Sequence, residues 1–71
     1  MANEKRNKFK RLAENRTNKI IDMVRLIGNL SNKSHYEYTE EEVDFIFETI
    51  QEELEFQKQK FKTANLKKFR L

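Results

Sequence analysis

The chain has 71 residues, 37% of them hydrophobic and 38% charged, with a formal net charge of +3 and no cysteine. That length allows one domain at most, near the size at which a single core contributes only about 3–5 kcal/mol. The lack of cysteine excludes a disulfide or a thiolate metal site as a staple. Six Phe and two Tyr set the chain apart from most disordered sequences, so a partner or a self-association surface is the expected missing stabiliser.

Residues 4–30 carry the first periodic pattern. Phe9, Leu12, Ala13, Arg16, Ile20, Met23, Val24, Ile27 and Leu30 recur at steps of three and four, which at about 100° per residue is one face of an amphipathic helix. Arg16 interrupts this stripe and has to extend its guanidinium past apolar neighbours. The helix is predicted to start between residues 3 and 8. It is predicted to end at Gly28-Asn29, because both types tolerate the left-handed conformation that closes many helices.

The connection Ser31–Tyr38 holds the sole histidine and both tyrosines. Tyr36 and Tyr38 alternate with Glu37, a spacing that suits a brief extended stretch with both rings on one side. Asn29, Ser31, Asn32, Lys33 and Ser34 admit two readings: contacts to phosphates or base edges, or plain turn chemistry, in which Asn and Ser bond their own backbone. Turn chemistry is the stronger reading. His35 among Glu37, Glu40, Glu41 and Glu42 lacks the second His or Cys that a metal site would use, and the sequence has no phosphate-cradling glycine loop and no nucleophile–base frame. No catalytic residue, metal or cofactor is expected.

Thr39-Glu-Glu-Glu42 before an apolar run is a capping-box pattern. It predicts a second helix from residue 40, whose stripe is Val43, Ile46, Phe47, Ile50, Leu54, Gln57 and Phe61. Acids at 40, 41, 42 and 44 suit the positive end of its dipole, and the absence of proline lets it continue past residue 57. Phe45 and Phe56 leave this stripe. Eleven residues apart, they differ by three turns plus about 20°, so they share a direction roughly opposite the stripe. Ile21 and Leu26 leave the first stripe in turn. Large aromatics are the usual anchors of interfaces, and two aligned ones on a small chain point to a protein partner or to self-association.

Charge is segregated along the chain. Residues 1–33 hold nine Lys/Arg against Glu4, Glu14 and Asp22, residues 34–57 hold nine acids and no base, and residues 58–71 hold six bases and no acid. Cations with Phe9, Phe61 and Phe69 among them suit nucleic-acid phosphate and bases. The plainer alternative is a solvated surface with cations drawn to a helix C-terminus. No run approaches the roughly 18 apolar residues of a membrane span, and MANEKRNKFKR lacks a signal-peptide core, so a cytoplasmic protein is expected.

The stretch RTNKIIDMVRLIGNLSNKSHYEYTEEEVDFIF, Arg16 to Phe47, with Phe61 beyond it, resembles a group of small proteins encoded on mobile elements of Gram-positive bacteria. The likeness spans Thr17 to Phe61, and its most specific part is LSNKSHYEYTEE. Within that group it is similar to the small accessory subunits of the primase-polymerases of staphylococcal cassette chromosome elements. The resemblance implies binding to a larger, polymerase-like partner and help in engaging single-stranded template. It carries over no residue role.

The combined expectation is an all-α chain of two long antiparallel amphipathic helices, a helical hairpin with a short, partly extended linker, completed by a partner or by self-association. It is a single small helical domain with basic ends at 1–8 and 62–71. Candidate nucleic-acid-binding residues are Lys5, Arg6, Lys8, Lys10, Arg11, Arg16, Lys19, Lys33, Lys58, Lys60, Lys62, Lys67, Lys68 and Arg70. Candidate partner-binding residues are Ile21, Leu26, Tyr36, Tyr38, Phe45 and Phe56. The functional expectation is a non-catalytic accessory subunit for a primase- or polymerase-type enzyme that also binds single-stranded DNA in mobile-element replication. The alternatives are a small self-associating DNA-binding regulator and an acidic inhibitor-type protein-binding module. No membrane contact and no small-molecule substrate are expected.

Overall fold

The computed structural model describes residues 3–66. It is all-α: helix α1 spans Glu4–Gly28, a single 3-10 turn follows at Asn29–Ser31, and helix α2 spans Glu40–Leu66. The chain divides into two units, residues 1–37 around α1 and residues 38–71 around α2.

In the first unit, Asn3 caps α1, its Oδ1 accepting from the Arg6 N–H at 3.0 Å. An Asn side chain satisfies one of the four N–H groups that a helix start leaves unpaired. Glu4 in the first turn and Arg25 in the last complement the helix dipole. The end of α1 falls at Gly28 as expected, but for a different reason. Gly28 has φ −59° and Asn29 φ −65°, both right-handed, and no described residue has a positive φ. The helix tightens into the 3-10 turn and stops at Asn32, whose backbone is extended at φ −71°, ψ 101°. Asn32 then builds a turn of its own. Its Oδ1 accepts from the Ser34 N–H at 2.9 Å, and its carbonyl accepts from the His35 and Tyr36 N–H groups at 3.1 and 3.0 Å.

In the second unit the capping box forms as the sequence predicts. The Thr39 hydroxyl accepts from the Glu42 N–H at 3.1 Å, and a Glu42 carboxylate oxygen accepts from the Thr39 N–H at 2.8 Å. Farther along, Thr49 donates its hydroxyl to the Phe45 carbonyl at 2.7 Å, so a β-branched polar residue inside a helix has its hydroxyl satisfied. The Gln57 amide donates to Glu53 at 2.6 Å across one turn.

No described residue is buried. Leu12, Ala13 and Ile27 on α1, with Tyr38, Val43 and Ile50 in the second unit, reach half-burial, and the rest of the described side chains are exposed. Among the described residues, no helix is long and apolar enough to cross a membrane.

The conformation of Gly28 yields a test. A Cβ built there meets nothing within 4 Å, so Gly28→Ala is expected to stabilise the helix by about 0.4–1 kcal/mol. Higher helical ellipticity and a higher melting temperature in circular dichroism would show this. A loss of helix would instead restore the left-handed cap.

Candidate functional site

On α1, the basic start is a collar. At about 100° per residue, Lys5, Arg6, Lys8, Lys10 and Arg11 spread around the whole circumference of the helix, and all five are exposed. Such a collar suits a flexible polyanion met from any side better than a single groove does. Arg16 lies within the stripe itself and Lys19 to one side, both exposed. Ile21 and Leu26, 41% and 56% exposed, are five residues and about 140° apart on the helix. The two are thus on separate flanks of the stripe and do not form one patch.

The linker residues separate by environment. Tyr36 is exposed and Tyr38 half-buried. The His35 ring meets the Tyr36 ring edge-on, with centroids 6.3 Å apart at 66°. This places His35 beside an aromatic ring, and among the described residues no group of three or more His, Asp or Glu side chains is arranged to hold a metal ion. The Asn32 turn accounts for the polar run by turn chemistry at that residue, while Lys33 is exposed at its tip.

On α2, Phe45 is 70% exposed and Phe56 63%. Their Cα atoms stand about 16 Å apart along the axis at 1.5 Å per residue, on the face turned away from the apolar stripe. The Lys60 ammonium lies over the Phe56 ring, 5.7 Å from its centroid. Sequence reasoning put these two residues in different sites. Their i, i+4 spacing was the available signal, since it brings side chains together on any helix. Phe56 and Lys60 line a shallow surface depression with Gln59, Thr63 and Ala64. Lys58 and Lys62, also one turn apart, lie on another flank, so the three described cations of this segment face two ways. Lys67, Lys68 and Arg70 lie outside the described residues, as does Phe69.

No protein-family model matches the chain, and no curated protein and no solved structure matches it. The properties of its surfaces are thus the available guide to function.

The Lys60–Phe56 contact has a direct readout. The Lys60 ε-methylene protons are expected to show an upfield ring-current shift in NMR spectra, lost in Phe56→Leu and kept in Phe45→Leu. At about 0.5–1 kcal/mol for an exposed cation–π pair, the substitution should leave helical content nearly unchanged.

Proposed function

We propose that this protein is a non-catalytic accessory subunit that binds a replication enzyme of the primase or polymerase type together with single-stranded DNA. The observation that carries the reading is the pair Phe45 and Phe56, the two most exposed large apolar side chains among the described residues, aligned on one face of α2. A protein partner that covers both rings gains roughly 1.5–3 kcal/mol from each. The exposed cations of α1 and of the end of α2 supply the nucleic-acid half of the proposal, because each phosphate neutralised releases condensed counterions. Single strands are favoured over duplex on one further ground: exposed Phe9 and Phe61 stand among cations, and bases stack on such rings only when unpaired. The subunit contributes surfaces and no reacting group. The likeness of residues 17–61 to accessory subunits of mobile-element primase-polymerases points the same way.

The proposal is tested by fluorescence anisotropy with labelled single-stranded and duplex DNA at two salt concentrations. Tighter, salt-sensitive binding to the single strand is expected. Reversing Lys8, Lys10 and Arg11 to Glu should weaken binding and flatten its salt dependence, by about two in the slope of log K against log salt for a single strand. An unchanged slope would remove the α1 collar from the site. Replacing Phe45 and Phe56 by Ser should abolish capture of the polymerase-type partner while leaving helical ellipticity in place. Loss of helix in the isolated chain would make those rings structural.

A further inference from the structure

The apolar stripe of α2 has an internal symmetry that the Phe45/Phe56 face does not use. Val43, Phe47, Ile50, Leu54, Gln57, Phe61 and Ala64 follow one another at alternating steps of four and three, which is the a/d seam of a heptad repeat held without a break over three heptads. From Val43 to Phe61 the pattern is also palindromic, while Ala64 falls on Glu40 at the ends of the pair. Turned end for end about residue 52, Val43 falls on Phe61, Phe47 on Gln57 and Ile50 on Leu54. Each a position thus meets a d position, which is the pairing an antiparallel two-helix seam requires.

Charge follows the same symmetry. From residue 40 to residue 48 the helix carries Glu40, Glu41, Glu42, Asp44 and Glu48 and no base, while from 58 to 62 it carries Lys58, Lys60 and Lys62 and no acid. An antiparallel pair lays each acidic start along a basic end. At the seam edge, Asp44 of one copy stands across from Lys58 of the other, twice, with Gln51 beside its own counterpart on the axis. A parallel pair would instead put the two acidic starts side by side and align the helix dipoles, both unfavourable. Glu53 beside its counterpart is the one like-charge contact at the edge of the antiparallel pair. Gln57, the polar residue in the seam, already has its amide bonded to Glu53 within the helix, so its burial leaves that donor satisfied.

We infer that α2 pairs with α2 of a second copy of this chain, antiparallel and centred on residue 52, through Val43, Phe47, Ile50, Leu54 and Phe61. These seam residues range from half-buried to largely exposed, Leu54 at 54% and Phe61 at 62%, so the surface to be covered is present. The α1 stripe is excluded as the self-pairing element. Its own seam runs Phe9, Ala13, Arg16, Ile20, Met23, Ile27, and end-for-end pairing puts Arg16 in both central layers, where a guanidinium loses its water without gaining a carboxylate. Phe45 and Phe56 fall at outward positions of the heptad, so the pair leaves them open. The inference requires neither nucleic acid nor a larger partner, and it stands or falls apart from the proposed function.

The chain has no cysteine, so single cysteines report the geometry without background. Full-length Gln51→Cys treated with a short bis-maleimide is expected to give a covalent dimer. Asp44→Cys and Lys58→Cys should each stay monomeric on a denaturing gel when treated alone and cross-link when mixed. In sedimentation equilibrium, Asp44→Lys should weaken the dimer by roughly tenfold, two edge pairs being reversed at once, and Asp44→Lys with Lys58→Glu should restore it. A monomer at every concentration overturns the pairing and leaves the seam to α1 or to another protein. A sedimenting dimer in which Gln51→Cys fails to cross-link overturns the antiparallel register.

Discussion

The constraint on which everything else in this protein depends is that a helix buries only one face, and only against something. Both long helices carry an apolar stripe, broken by Arg16 on α1 and by Gln57 on α2, yet no described side chain is buried. What fixes each helix is therefore local. Asn3 at the start of α1, the reciprocal Thr39–Glu42 box at the start of α2, the Thr49 hydroxyl on Phe45 and the Gln57–Glu53 bond all act within one turn. Interactions of this kind are worth about 1 kcal/mol or less each. Most helical stability in proteins comes from tertiary packing of the apolar face, which these local bonds do not replace.

This balance explains why the elements were legible in the sequence and the site only partly so. The start of α2 could be placed to the residue because a capping box is a local signal, with donor and acceptor three positions apart. The amphipathic stripes were legible because a period near 3.6 has no other structural use. Gly28 shows the limit of such reasoning. Glycine permits a left-handed cap without requiring one, and with nothing crowding its Cβ position α1 tightened at Gly28 into a right-handed 3-10 turn, until Asn32 offered the backbone a turn of its own.

Surface charge was legible as an amount and much less as an arrangement. The count of cations in residues 1–33 said nothing of a collar, which follows from successive steps of one and two that a helix scatters around its axis. Ile21 and Leu26 counted together in sequence and separated on the helix for the same reason. The Lys60–Phe56 contact, in turn, joined residues that composition assigns to different roles. Partner surfaces are encoded by which side chains share a direction, and direction appears only once the helix is drawn.

That no described side chain is buried bears on how easily the chain opens. Chains with few buried contacts open locally at small free-energy cost, and cleavage by proteases follows the population of the open form. A copy that has covered its stripes is protected, whereas one that has not is a ready substrate for degradation. For a chain of this kind, covering the stripes and resisting cleavage are one and the same equilibrium.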